Sequence, residues 1–209
     1  CHRTNPKTLN KIDWLPLIQW SLKEFKTAFP LKTMNHINEF KFCGTWGDPI
    51  MNKDIFEICE YIINNSDCWI EINTNGSLRD EFWWTSLGYL IKDRGRAVFD
   101  IDGSTQEMHE LYRQKTDLNL ILKNMKAYSL YGQLSVFTVV FKHNEDYLKD
   151  INEMVKEIGI DDHIFVPTDR AHHVDKFKFY KDSELKILEH SPKYGLNAQR
   201  YNFGIDDIL

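Results

Sequence analysis

Asp100-Ile101-Asp102-Gly103 sets two carboxylates one residue apart at the end of an apolar run. Carboxylates so placed suit a divalent metal, ribose hydroxyls or acid–base work, and a solvated turn would use the same residues. A second run, Cys43-Gly44-Thr45-Trp46-Gly47-Asp48-Pro49, combines two glycines, an acid and a proline. Glycine lets a backbone approach a ligand closely, although a tight turn ahead of a helix has the same composition. Thr74-Asn75-Gly76 closes a third apolar run, and His109-Glu110-Leu111-Tyr112-Arg113 follows the paired aspartates. Cys43, Cys59 and Cys68 lack metal-ligand spacing and read as packed thiols. His172-His173 reads as solvated surface.

The elements that must position these residues alternate along the chain. Apolar residues at helical spacing predict a helix over Ile12–Phe29, and alternation predicts a strand at Glu39–Cys43. Asn52 reads as the cap of a helix bearing Ile55, Ile58, Cys59 and Ile62. A strand at Cys68–Asn73 then precedes a helix around Phe82–Ile91, and a strand at Ala97–Ile101 precedes a helix from Leu118 capped by Asp117. Leu134–Phe141 reads as the longest strand. Asn144 caps the next helix, Gly159 ends it, and His163–Val166 is one more strand. The strand centres lie about 27 to 39 residues apart, near the roughly 31 per unit of an eightfold βα barrel. Such a rhythm predicts an α/β fold with a parallel sheet and helices outside it. An additional strand is expected upstream of the opening helix. Periodicity alone leaves a partial barrel and an open doubly wound sheet both possible; in each, function sits at the C-terminal ends of the strands. Residues 167–209 break the rhythm, with one further helix expected around Ser183–Glu189.

Composition narrows the function classes. The 209 residues are 42% hydrophobic and 27% charged, with net charge −5. That is ordinary for a globular protein, and a sizeable core is expected. The negative balance argues against a nucleic-acid partner. No apolar run approaches the ~18 residues of a membrane span, and the N-terminus lacks the pattern of a signal peptide. Four cysteines in this length make no disulfide framework, so a cytoplasmic location is expected.

Three chemistries compete for the paired aspartates. In a haloacid-dehalogenase-like phosphatase the first would be the nucleophile, but there the Asp-x-Asp strand precedes the Thr-Asn-Gly strand, the reverse of the order here. In a nucleotide-sugar glycosyltransferase the pair would hold a metal, without other support in the chain. The third explains more. Cys1-His2-Arg3, Trp46-Gly47-Asp48-Pro49, Thr74-Asn75-Gly76, and Asp100-Ile101-Asp102-Gly103 with His109–Arg113, in that order, resemble the radical S-adenosylmethionine (SAM) enzymes. The resemblance covers roughly residues 1–166 and is closest to the branch that modifies peptides and proteins.

The resemblance implies a partial six-stranded βα barrel whose first strand lies upstream. It implies a 4Fe–4S cluster held by a C-x-x-x-C-x-x-C loop, of which Cys1 resembles the third cysteine. It also implies SAM bound at that cluster, a 5′-deoxyadenosyl radical, and hydrogen abstraction from an organic substrate such as a peptide or protein side chain. Electrons would come from a reductase or flavodoxin-type donor. By position, Trp46, Gly47, Asp48 and Pro49 match the Gly-Gly-Glu-Pro motif that meets the SAM amino group. Asp100 matches a ribose contact and Arg113 a carboxylate contact, with Asn75, Asn144 and Val166 as further SAM contacts. The chain is then expected to be a piece of a longer enzyme, with the radical SAM core over 1–166 and an extension over 167–209. As supplied it would be inactive, since one thiolate cannot hold the cluster. A non-catalytic α/β binding domain is the remaining alternative.

Overall fold

The computed structural model describes residues 5, 11–44, 47–167, 176–181 and 184–194. The elements in chain order are α1 (Leu22–Ala28), α2 (Leu31–Met34), β1 (Glu39–Cys43), α3 (Ile55–Asn65), β2 (Trp69–Thr74), α4 (Glu81–Ile91), β3 (Gly95–Asp100), α5 (Gln106–Tyr112), α6 (Leu118–Ser129), β4 (Gln133–Val140), α7 (Leu148–Glu157), β5 (His163–Pro167), β6 (Lys176–Lys181) and β7 (Glu184–Glu189). A 3-10 turn at Pro49–Met51 precedes α3. The first five strands form one parallel sheet in the order β1-β2-β3-β4-β5. Among the described residues the sheet does not close into a barrel.

Strand alternation sends one set of side chains to the helices. Phe40, Ile70, Ile72, Ala97, Phe99, Val136, Val140 and Phe165 join Ile58, Trp84, Ile121, Met125 and Ile151 in one core. Trp84 has no exposed surface, and its ring lies 4.9 Å from Phe99 and 6.1 Å from Tyr128. The opposite face is polar. Register aligns Lys41, Glu71, Arg96 and Gln133 across four strands. Glu71 takes Arg96 Nε and Nη2 at 2.8 and 2.6 Å, together with the Lys41 ammonium.

Several sequence expectations change. The opening helix starts at Leu22 rather than Ile12 because Ser21 and Glu24 form a capping box there. Residues 15–20 run without regular structure, and Pro16 offers no N–H for a helix. Asn52 does not cap α3, whose cap is Asp54; its amide oxygen instead takes the Asp54 N–H at 3.0 Å. Asn144 does not cap α7 either, since that helix begins four residues later. The expected helix at Ser183–Glu189 is strand β7, paired antiparallel with β6. Leu188 of β7 and Phe179 of β6 bury themselves against Phe141, and that packing outweighs local propensity. Cys59 and Cys68 are core thiols as expected, whereas Cys43 is exposed. Its alternating partner Phe42 takes the helix-facing side, so Cys43 turns to the polar face. His172 and His173 lie outside the described residues.

Candidate active site at the C-terminal strand ends

The ends of β1, β2 and β3 bring Asp48, Asn75, Asp100 and Arg113 together, as parallel register requires. Asp48 follows β1 and caps the 3-10 turn, accepting the Ile50 N–H at 3.0 Å. It also takes the Asn75 N–H at 2.6 Å and the Thr74 hydroxyl at 2.9 Å. The two loops after β1 and β2 are thereby joined through one carboxylate. Burial pushes the Asp48 carboxyl above its ordinary value, against the pull of those donors and of Arg113.

Gly76 turns the chain after Asn75 with φ +72°. A Cβ there would lie 2.5 Å from the Phe99 ring, so conformation and space both call for glycine. Thr74 closes the turn by accepting the Gly76 N–H at 2.9 Å.

Arg113 stands immediately after α5, and its own N–H is held by the His109 carbonyl at 2.9 Å. Its guanidinium reaches three groups at once. Nε donates to Asp102 Oδ2 at 2.5 Å, while Nη1 meets Asp100 Oδ2 at 3.0 Å and Asn75 Oδ1 at 3.2 Å. The guanidinium also lies over the Tyr112 ring at 4.8 Å. Burial would weaken its charge, but Asp102 and Asp100 outweigh that and hold its pKa above the ordinary value.

The two aspartates therefore differ in role. Asp102 has no exposed surface and also accepts the Val139 N–H at 2.6 Å. It anchors Arg113 from beneath. The Asp100 side chain keeps 23% of its surface exposed. One guanidinium bridges both carboxylates, so it occupies the position that a divalent ion between them would take. That geometry disfavours the phosphatase and glycosyltransferase readings. His109 is fully buried, and its Nδ1 accepts the Asp102 N–H at 3.2 Å. Burial pulls its pKa down to about 4, against the Asp102 charge, so it is neutral and structural.

Of the other candidates, Asn144 is buried behind the site. Its amide donates to the Asp102 and Val139 carbonyls at 3.0 and 2.9 Å and accepts the Phe141 N–H at 2.8 Å. Its polar atoms brace the loop that carries Asp102. Val166 lies on β5 opposite Val139, two strands from Asp100. Gly47, at φ +114°, and Pro49 flank Asp48. Cys1 and Trp46 lie outside the described residues. Thr74 and Asp102 are the partners that motif reading did not single out as site residues; their signal was position inside the two motifs, not residue type. No group of three or more His, Cys, Asp or Glu side chains among the described residues is placed to hold a metal ion. No helix among them is long and apolar enough to cross a membrane.

No protein-family model and no curated protein matches the chain. Solved structures do. Native anSMEcpe with bound AdoMet (S-adenosylmethionine) superposes with TM-score 0.56 at 18% identity, over 79% of this chain and 46% of that one. The same protein with AdoMet and a Kp18Cys peptide gives TM-score 0.50 at 18% identity, over 68% of this chain and 40% of that one. Archaeal TYW1 gives TM-score 0.50 at 12% identity, over 73% of this chain and 56% of that one. The chain thus spans about half the length of these proteins. Its fold is the one these solved structures share, a parallel sheet with helices alternating between its strands.

Proposed function

We propose that the site at the C-terminal strand ends binds SAM and that the chain is the core of a radical SAM enzyme. The observation that carries this reading is the single hydrogen-bonded network of Asp48, Asn75, Asp100 and Arg113 at three adjacent strand ends. Its chemistry fits the ligand. Asp48 offers a carboxylate to the SAM ammonium. Asp100 keeps part of its carboxylate exposed, and its oxygens would accept from ribose hydroxyls. Arg113 presents a planar donor fork to the carboxylate. Val166 lies at the end of β5, where it would meet adenine. Trp46 extends the Gly47-Asp48-Pro49 motif, and Cys1 is the proposed contribution to a 4Fe–4S cluster.

SAM bound at such a cluster would supply, on one-electron reduction, a carbon radical able to take a hydrogen atom from an organic substrate. A peptide or protein side chain is the proposed substrate, because one neighbour of the same fold holds a peptide. A reductase or flavodoxin-type donor would supply the electron, in the cytoplasm. The residues of this chain orient SAM and exclude water beneath it, and Asp102 keeps Arg113 charged and fixed from the buried side. The radical SAM core is assigned to 1–166 and a C-terminal extension to 167–209.

The test is SAM affinity by calorimetry on the wild type, Asp100→Ala and Arg113→Ala. Loss of a charge-assisted contact should weaken binding by about 1.5–3 kcal/mol, roughly 10- to 150-fold. Unchanged affinity in both variants would remove the basis for the assignment. A phosphatase would instead lose ester hydrolysis in Asp100→Asn and ignore SAM.

A further inference from the structure

The Arg113 guanidinium is held on one side by carboxylates and on the other by an aromatic ring. That ring, Tyr112, is the first member of a packed series leading away from the site. Tyr112 lies 4.7 Å from the Phe141 ring. Phe141 is 1% exposed and forms a small core with Phe179 of β6 and Leu188 of β7, against which Leu111, Tyr112 and Val139 pack. This cluster is separate from the main core between sheet and helices. The hairpin is tied to the same point by backbone. Phe141 pairs with His190, and the Lys142 N–H donates to the Glu189 carbonyl at 3.0 Å. Lys142 and Lys176 both meet the Glu189 carboxylate, at 2.7 and 2.9 Å.

A second route converges on the same ion pair. The Phe141 N–H is held by Asn144, whose amide also holds the Asp102 carbonyl. The residue that receives the hairpin is thus one contact removed from each partner of the Arg113–Asp102 pair, through the Tyr112 ring on one side and the Asn144 amide on the other. Asp102, Asp100 and Asn75 hold the guanidinium by its edge at Nε and Nη1, and the Tyr112 ring 4.8 Å away adds a cation–aromatic contact that disfavours tilting out of that arrangement.

We infer that Tyr112 is a positioning residue for the ligand carboxylate, and that the β6–β7 hairpin acts through Phe141 and Tyr112 to set the plane of Arg113. The inference rests on the reading that Arg113 receives the SAM carboxylate. It makes the C-terminal hairpin part of the binding site although no hairpin residue is assigned a contact with the ligand.

The experiment compares SAM with decarboxylated SAM, which keeps the amine and the nucleoside but lacks the group Arg113 would hold. Affinities are measured by calorimetry on the full chain as wild type, Tyr112→Phe, Tyr112→Leu, Phe179→Ala and the Tyr112→Leu/Phe179→Ala pair, with melting temperatures for each. Tyr112→Leu and Phe179→Ala should each weaken SAM binding by roughly 3- to 10-fold. Binding of decarboxylated SAM should stay within about twofold, and Tyr112→Phe, which keeps the ring, should lose less SAM affinity than Tyr112→Leu. The double variant should be no weaker than the weaker single one, because residues acting through one contact are not additive.

Equal losses for the two ligands, or additive losses in the double variant, would overturn the inference and leave the hairpin as a support of the fold. If Phe179→Ala does not fold, the Tyr112 variants carry the same comparison. Arg113→Ala separates the two levels. An unchanged SAM affinity there would bring down the site reading itself. A loss in Arg113→Ala with none in Tyr112→Leu would sink the positioning role alone.

Discussion

A buried charge must be matched partner by partner, and Glu71 makes the requirement measurable. Its side chain is only 4% exposed on the polar face of the sheet. Burial alone would raise its pKa, but Lys41, Asn73 and Arg96 outweigh that and pull it down to about 2. An acid whose folded pKa lies below its unfolded value stabilises the fold above the unfolded pKa and loses that contribution as pH falls through the folded one. The window here runs from roughly pH 5 down to about 2. Because Lys41 and Arg96 are partly exposed, screening reduces the contribution to about 2 kcal/mol. Urea unfolding of wild type and Glu71→Gln should therefore differ by about that amount at pH 7 and converge near pH 2. A difference that stays constant across this range would assign the effect to another group. The same logic explains why Asp100 and Asp102, identical in type and two positions apart, have different work. One is buried beneath Arg113 and the other is partly exposed.

Elements begin and end where side chains take up stray backbone groups, and the loops that carry the site follow that rule. Asp117 starts α6 by accepting the Leu120 N–H at 3.1 Å, as the sequence indicated. Asn144, a residue of equal capping propensity, spends its oxygen on the Phe141 N–H three residues back. A cap and a turn brace draw on the same chemistry, so residue type could not separate them. The turn after β2 is the strictest of these joints. Gly76→Ala would force an L-residue to φ +72° and drive its Cβ into the Phe99 ring. We expect a loss of about 2–3 kcal/mol, combining left-handed strain with overpacking, read as a lower urea midpoint at unchanged slope. SAM affinity should fall with it, since Asn75 and Thr74 hold Asp48 from that turn. A variant as stable as wild type would show that the loop can relax away from Phe99.

At the scale of the molecule, the thiols constrain what this chain does with iron. Cys59 is wholly buried, and burial raises its pKa to about 12, so it remains a thiol rather than a ligating thiolate. Cys68 is buried with its sulfur within 2.8 Å of the Ile37 carbonyl, and Cys43 is exposed on the opposite face from the core. Anaerobic treatment of the 209-residue chain with iron and sulfide should leave well under four irons per chain, with no change in Cys59→Ala. Four irons retained by the chain, and lost in Cys43→Ala or Cys59→Ala, would mean that one of these thiols is a ligand. Sequence alone carried the parallel α/β order, and it proposed four positions, Asp48, Asn75, Asp100 and Arg113, that the structure brings into contact. Strand alternation, helical spacing and strand-end turns are local patterns, and local patterns can be read residue by residue. Tertiary structure decided the rest. It made strand β7 where a helix was expected, because Leu188 had Phe141 to pack against. It turned Asp102 inward to Arg113 and Asp100 outward. It also laid Tyr112 across the guanidinium. Strand β7 depends on a contact between segments distant in the chain, and the Tyr112 ring, though next to Arg113 in sequence, packs against the distant Phe141; one-dimensional spacing carries no information about which surfaces meet.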